Sequence, residues 1–536
     1  MVFYCKNVNH KIVTFTKTAI MKKLLFITAL FCFIASAYSQ QLSTAQIDAL
    51  VQHSLKAFDV PGISVGIIKD GKIIYAKGNG VRSLKTQLPA DENTIFGIAS
   101  NSKAFTCTAL GMLVDEGKIK WDDKVRDYIP EFKLYSPYVT EAFTIRDMLT
   151  HRSGLGLGAG DLMFFPDSSD FVLKDIIYNL RFLKQVSEFR TKYDYDNLMY
   201  ILAGEIVHRV SGISWDDFIE QKIFKPLGME KSAGSFDRLK DKSNVIDAHA
   251  PVNGKVQVIA RSTVKVGHSA GGINSNISEL CKWVQLWLNH GKYGEGLSKR
   301  LFSENVYYEI TSPQTIIQVR NPGPYNSHFA AYGLGFFLSD EKGYKKVTHT
   351  GGLEGMVTQI TMFPELNLGI IVLTNQQEGA AFTSISNQIK DAYFGITGTN
   401  RVEEYSKGRK EQVAMANKLV DSIWKEIQSA DITARPDINL YTGTYHDVWF
   451  GDIYIAVKNG KLWFTSKRSP KLNGEMFYYK GNSFVVKWQD RSMDADAFVN
   501  FSLDEQGKAD GIKMRAISPL TDFSYDFHDL DFNRMK

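Results

Sequence analysis

The positions of the strands constrain this chain most. After Pro61-Gly62 the stretch ISVGIIKDGKIIYAKGNG reads as two apolar strands around Asp70-Gly71, a hairpin signal. Strands return from residue 332 onward, as YGLGFFLS, KVTHTGG, MVTQITMF and LGIIVLTNQ. Between the two groups the apolar spacing predicts helices over 102–116, about 170–183, 197–210, 214–224 and 276–290. A further amphipathic helix is predicted over 42–58. Simple strand–helix alternation is absent, which argues against a doubly wound parallel sheet. The pattern predicts one antiparallel sheet assembled from both ends of this region, with helices packed on it: an α+β fold.

From Tyr441 the texture changes to short alternating strands (GTYHDVW, DIYIAVKNGKLWFTS, FYYKGNSFVVKW), with turns at Asn459-Gly460, Gly481-Asn482 and Gln506-Gly507. Such spacing predicts a small β-barrel or sandwich. A charged helix over 403–429 precedes it, and the boundary falls near residue 434. A length of 536 residues alone calls for two or three domains. The expected organisation is a leader over 1–39, an α+β domain over 42–400, a helical connector over 401–433 and an all-β domain over 434–536. Trp449, Trp463 and Trp488 read as core residues of the last of these.

The formal charge of +5 loses its meaning once located. Residues 1–39 hold five lysines and no acid; the remainder balances 58 basic against 58 acidic residues. Nothing points to nucleic acid or an anionic surface as partner. Met21 opens MKKLLFITALFCFIASAYSQ: two lysines, an apolar run from Leu24 to Ala35, and Ala37-x-Ser39 before Gln40. That predicts a secretory signal peptide over about 21–39, a mature start near residue 40, and a secreted or periplasmic bacterial protein. Residues 1–20 then read as sequence upstream of the true start. The run is short for a membrane span, so no stable insertion is expected after cleavage; a retained anchor is the alternative. Cys5 and Cys32 leave with the leader, and Cys107 and Cys281 sit in apolar helical patterns as buried free thiols. No zinc-type histidine or cysteine spacing occurs, and no metal or cofactor is expected.

Two serines compete as nucleophile. GHSAGG, residues 267–272, spells G-x-S-x-G around Ser269. A nucleophile elbow needs a strand entering the serine and a helix starting at it. Here Gly271 and Gly272 would fall in the first helical turns, at roughly 1 kcal/mol each. Ser275 or Asn276, before ISELCKWVQLWL, is the better helix start, so Ser269 is expected in a structural loop. The rival is FGIASNSKAFTCTALGMLVDEGK, where Ser100 and Lys103 form S-x-x-K on one helical face. Serine is a weak nucleophile until a base adjoins it, and a helix N-terminus favours a developing oxyanion. S-x-x-K occurs four times in this chain, so its partners decide. Tyr195-Asp196-Asn197 is the only Y-x-N, and His349-Thr350-Gly351 the only H/K-T-G.

With these three elements in order, the chain resembles the serine β-lactamase and penicillin-binding-protein superfamily, in its class C, D-aminopeptidase and esterase branch. The resemblance runs from about residue 45 to 395 and includes MLTHRSGLG, YDYDNLMYILAGEIVHRVSGISWDDFIEQKIFKPLGM, VTHTGGLEGM and HSAGGINSNISELCKW. It implies a β-lactamase/transpeptidase-like domain: an antiparallel sheet with helices on both faces and a helical subdomain. It implies that Ser100 is the nucleophile and that Lys103 and Tyr195 share the general-base work. Asn197 would hold a substrate amide and the lysine, with His349, Thr350 and Gly351 on the substrate strand. The oxyanion hole would be the backbone N–H groups of Ser100 and Gly352. The last 100 residues resemble the lipocalin-like barrel appended to many bacterial members, as a structural barrel, an oligomer contact or a lid.

Two positions depart from the common pattern. His349 stands where β-lactamases carry the lysine that meets the substrate carboxylate, which weakens the case for β-lactamase activity. Asp196 adds an acid inside Y-x-N, and His151 in LTHRSGL is expected to be structural. The expected activity is hydrolysis of small amides or esters through an acyl-enzyme on Ser100, first on peptides bearing D-residues. An esterase or weak β-lactamase comes second, and a non-catalytic penicillin-binding or sensor protein is the rival from another class. The expected partners are a small-molecule or short-peptide substrate and, through the C-terminal domain, further copies of the chain. Because the motif set is complete before residue 400, residues 42–400 are expected to react by themselves.

Overall fold

The computed structural model describes residues 41–429 and 436–536. The leader, with its signal peptide, Cys5 and Cys32, lies outside them, as does the expected boundary at 434. Among the described residues no helix is long and apolar enough to cross a membrane, and Cys107 and Cys281 are free and buried.

The α+β domain is built on one eight-stranded antiparallel sheet that draws its strands from both ends of the region. Its order is Lys72–Gly80, Gly62–Lys69, Leu368–Thr374, Met356–Phe363, Tyr344–Leu353, Phe337–Glu341, Ala330–Tyr332 and Thr315–Ile317. The N-terminal hairpin thus pairs with a strand some 300 residues later, from Ile63 opposite Thr374 to Lys69 opposite Leu368. The alternation of Gly62–Lys69 feeds two cores. Ile63, Val65 and Ile67 pack with Ile47, Val51 and Ile385 of helices Thr44–Ala57 and Gly379–Tyr393, whereas Ile68 joins Leu280 and Val284 of helix Ile277–Leu288 on the other side. Helices on both faces follow from a strand buried at every position from Gly62 to Ile68.

YGLGFFLS is two strands rather than one. Gly333 donates to the Phe336 carbonyl across a tight turn, and Gly335 takes a φ of +80°, so the run folds back on itself. Of the helix predicted over 170–183, Leu173–Asn179 is α-helical, and Asp175 caps its first turn by accepting from the Val172 N–H. The segment over 214–224 passes from α-helix Trp215–Ile219 into a π-turn, Glu220–Phe224. These pieces and helix Asn197–Ser211 form the helical subdomain beside the sheet.

The C-terminal domain is a closed antiparallel barrel of eight strands, from Gly443–Asp447 to Phe532–Arg534, the last pairing with the first through Tyr445 and Arg534. Its interior is filled by side chains: Tyr441, Phe484 and Phe501 meet within 5.7 Å of one another, and Phe464 meets Trp488 at 5.3 Å. Trp449 and Trp488 are buried as expected. Trp463 is not: in Lys461–Ser466 it alternates with buried Leu462 and Phe464, so it lies on the outer face under Lys458. Helix Arg401–Ser429 joins the domains. Its start is clamped by Arg401, bonded to Asp391 of helix Gly379–Tyr393. Ile423 and Ile427, near its end, pack on barrel residues Val485, Phe498 and Ile517.

Candidate active site

Ser100 sits in a single 3-10 turn, Ala99–Asn101, that leads directly into helix Ser102–Asp115. Ala99 holds a left-handed φ of +50° although it is not glycine, a strained backbone of the kind found where a side chain must be aimed. The continuous turn places Lys103 one helical step along, with Nζ 3.1 Å from Ser100 Oγ. Lys103 is wholly buried, and its amine also donates to Asn197 Oδ1 and to the Ala270 carbonyl, both at 2.8 Å. Burial brings its pKa down to about 7, against the upward pull of Asp161 and Asp196.

Tyr195 and Asn197 flank the start of helix Asn197–Ser211. Asp196, between them, turns away from the cleft and is the helix N-cap, accepting from the N–H groups of Leu198 and Met199. The acid inside Y-x-N is therefore structural. Asn197 donates from Nδ2 to Asp161 Oδ2 at 2.8 Å while its Oδ1 faces Lys103. The Tyr195 hydroxyl is buried and has no hydrogen-bond partner among the described residues. Burial raises its pKa, and the neighbouring Ser100 only partly offsets that. His151 lies under the Tyr195 ring, 4.2 Å between centroids, and accepts from the Asp196 N–H through Nδ1. This bond leaves the ring neutral, and burial lowers its pKa well below the usual value.

His349, Thr350 and Gly351 lie on strand Tyr344–Leu353, and Gly351 is what lets that strand approach the serine turn. A Cβ there would collide with the Ile98 carbonyl oxygen and stand 2.9 Å from Ala99 Cβ. The His349 ring is buried, with both nitrogens occupied. Nδ1 donates to the Thr350 carbonyl at 2.5 Å, so Nε2 accepts from the Tyr332 hydroxyl at 2.9 Å. Burial, reinforced by Lys103, lowers its pKa to about 3. The imidazole is neutral and fully bonded, and it offers substrate an edge rather than a charge.

Ser269 is in a one-turn helix, His268–Gly271, rather than a loop. It is 5 % exposed, its hydroxyl bonds only the Ile201 carbonyl at 3.5 Å, and it is wedged against Gly204. Helix Ile277–Leu288 starts from the Asn276 cap, the second of the two starts read from the sequence, Ser275 or Asn276.

Ser100, Tyr195, Asn197, His349, Thr350 and Gly352 line one cleft of about 360 Å³, with Lys103 beneath it. Gly351 packs behind the lining. Much of the remaining wall is apolar, including Leu157, Phe164, Phe337 and Val357. The cleft is not complete within residues 42–400: Asp522, Phe523 and Ser524 of the barrel line it too. Ser524 Oγ donates to Asp161 Oδ2 at 2.8 Å across 363 residues of sequence. The two domains also meet through Arg468, which pairs with Asp170 and Asp175, and through Lys471 with Glu354. Asp161, Tyr332, Phe523 and Ser524 are the site residues that sequence reasoning missed. Each is an ordinary residue in an ordinary context, made part of the site only by long-range folding.

A family model described as "Beta-lactamase" matches residues 47–393, and one described as "Domain of unknown function (DUF3471)" matches 428–534. The chain is 26% identical over 418 residues to the Unguisins hydrolase ungD' of Aspergillus campestris, covering 74% of each. It is 26% identical over 336 residues to Protein flp of Staphylococcus aureus, covering 62% of this chain and 63% of that protein. Among solved structures, the octameric penicillin-binding protein homologue from Pyrococcus abyssi superposes with a TM-score of 0.58 at 21% identity, over 92% of this chain and all of that one. A mutant of a class C beta-lactamase gives 0.53 at 20% identity, over 65% of this chain and 96% of that one.

Proposed function

The chain belongs to the Beta-lactamase family, and from that premise we propose that it is a secreted serine hydrolase of small uncharged amides or esters, working through an acyl-enzyme on Ser100. Among amides, peptides bearing D-residues come first, as the resemblance implies, and short esters second. Secretion is inferred from the leader over 21–39.

One observation carries the reading: the bonding of Lys103. Two of its three partners, Asn197 Oδ1 and the Ala270 carbonyl, can only accept. In the neutral amine both N–H bonds are used there, and the lone pair is left for Ser100 Oγ. A pKa near 7 makes that neutral form available at neutral pH, where a general base is most useful. Lys103 then takes the Ser100 proton as Oγ attacks the substrate carbonyl. The oxyanion forms at the helix N-terminus, between the N–H groups of Ser100 and Gly352. Tyr195, kept protonated by burial, hands its proton to the leaving group and receives in exchange the one Lys103 took from Ser100, so that Lys103 is neutral again. Water then attacks the ester, Lys103 takes the water's proton, and a proton returns to Ser100 Oγ as the acyl group leaves. With His349 neutral and its nitrogens spent, no lysine or arginine among the described residues lines the cleft to receive a substrate carboxylate, which favours uncharged substrates over penicillins.

The test is covalent labelling with a fluorophosphonate. The natural chain is expected to be labelled, Ser100→Ala to abolish labelling, and Ser269→Ala to leave it. Labelling that survives Ser100→Ala and is lost with Ser269→Ala would overturn both the nucleophile and the mechanism.

A further inference from the structure

The barrel segment over 521–526, between strands Ala509–Ala516 and Phe532–Arg534, reaches out of its own domain into the cleft. It is held from both sides. Thr521 Oγ1 donates to the Asp494 carbonyl within the barrel, and Asp526 Oδ2 accepts from the Gly160 N–H of the α+β domain at 2.6 Å. Gly158 makes the approach possible: its φ is +71°, and a Cβ there would stand 2.8 Å from the Phe523 carbonyl oxygen and 2.9 Å from its ring. The Gly158 N–H in turn donates to the Tyr195 carbonyl. Phe523 therefore comes to rest edge-on to the Tyr195 ring, 5.8 Å between centroids.

Ser524 does something different. Asp161 is wholly buried, and its side chain has two hydrogen bonds, both accepted by Oδ2, from Asn197 Nδ2 and Ser524 Oγ. Oδ1 has no partner among the described residues. An oxygen that accepts compels Asn197 to present its amide N–H₂ on that side. The Asn197 oxygen must then face Lys103, where it accepts from the amine. With the amide reversed, N–H would oppose N–H at the lysine and oxygen would oppose oxygen at Asp161. The orientation of the group that directs the Lys103 lone pair is thus set by Asp161, and Ser524 supplies half of the hydrogen bonding that keeps Asp161 in place.

We propose that the C-terminal barrel is part of the active site: Ser524 is a positioning residue that acts on Asn197 and Lys103 through Asp161, and Phe523 is a specificity-determining wall. The substrates this favours are uncharged acyl groups with an apolar chain or ring, seated between Phe523, Leu157 and Tyr195. The proposal rests on Ser100 as nucleophile and Lys103 as base.

The experiment uses the full chain and p-nitrophenyl esters from acetate to octanoate, with kcat and KM measured separately, the fluorophosphonate labelling rate, and the melting temperature. Ser524→Ala is expected to lower kcat and the labelling rate about tenfold with KM within about twofold, and Ser524→Thr, which keeps the hydroxyl, to recover most of the loss. Asp161→Leu, of similar size but without an acceptor, is expected to lower kcat more than Ser524→Ala does. Should Ser524→Ala fail to fold, Asp161→Leu carries the positioning test. Phe523→Ala is expected to move the preferred ester toward longer chains. A folded Ser524→Ala or Asp161→Leu with undiminished kcat, or a loss that tracks melting temperature and is not restored by Ser524→Thr, would overturn the positioning role. An unchanged chain-length profile in Phe523→Ala would overturn the wall. In each case Ser100→Ala remains unlabelled and the underlying reading stands; if Ser100→Ala is still labelled, that reading is what has failed.

Discussion

Ser100 and Ser269 adjoin the same buried amine, and they meet it through different atoms. Ser100 reaches Lys103 with its hydroxyl, on the side open to the cleft. The turn of Ser269 reaches it with the carbonyl of the next residue, Ala270, while the Ser269 hydroxyl points back at the Ile201 carbonyl. Both serines satisfy a motif-like spacing of residue types, S-x-x-K in one case and G-x-S-x-G in the other. What separates them is the acceptor beside the hydroxyl: an amine that can take a proton, or a carbonyl that cannot. The second turn still touches the first, because its carbonyl occupies one N–H of Lys103, and in the proposed mechanism that leaves the lone pair for Ser100.

The largest expected effect tests that asymmetry directly. Lys103→Ala and Tyr195→Phe should each lower kcat/KM by roughly 10²–10⁴ on a neutral ester, the usual worth of acid–base catalysis, whereas Ser269→Ala should leave it within about twofold. The double variant of Lys103 and Tyr195 should lose much less than the product of the two, if they share the proposed proton path. Strict multiplicativity would separate them.

The pH profile sharpens the comparison next. With Lys103 as the proposed base for Ser100, kcat/KM should fall about tenfold per pH unit below about 7 and level off above it. Tyr195, with its pKa raised by burial, adds no falling limb below the ordinary tyrosine range. An acid limb near the ordinary histidine value that vanishes in His349→Gln would transfer the role to His349.

How much of this is legible in the sequence depends on how far the partners lie apart. The hairpin around Asp70-Gly71, the Asn276 cap and the three motifs are readable because each is decided within a few residues. The sheet built from both ends follows from the apolar runs alone. The outward turn of Trp463 is decided by its place in the alternation of a short strand, which the size of a tryptophan obscures. Asp161 and Ser524 carry no local signal: their meeting across 363 residues depends on how two domains dock. Of the two bonds that occupy the His349 ring, the one to Nε2 comes from Tyr332, seventeen residues back with a whole strand between them.

Two smaller effects bound the comparison. His349→Lys should raise the ratio of kcat/KM for nitrocefin over a neutral ester about tenfold at neutral pH, by offering an ammonium in place of a spent imidazole. Efficient nitrocefin hydrolysis by the natural chain, undiminished in His349→Ala, would make β-lactamase the better description. Gly204→Ala would drive a Cβ into Ser269 Oγ and place it 2.6 Å from Ser269 Cβ. Such overpacking should destabilise by about 1–3 kcal/mol, read as a lower melting temperature, with fluorophosphonate labelling of the folded protein retained. Lost labelling at unchanged stability would return Ser269 to the chemistry.

The helix Arg401–Ser429 sets a phase between the two domains. One end is docked on the α+β domain through Arg401 and Arg409, the other on the barrel through Ile423, Trp424 and Ile427. Between Arg409 and Ala416 it works as a screw thread. Each residue inserted there advances the barrel by about 1.5 Å and rotates it by about 100°. A single insertion would swing Ser524 and Phe523 out of the cleft, and seven would nearly restore the angle while displacing them by about 10 Å. Relatives whose helices differ in length by other than whole turns must therefore dock the barrel elsewhere, and with it build a different wall.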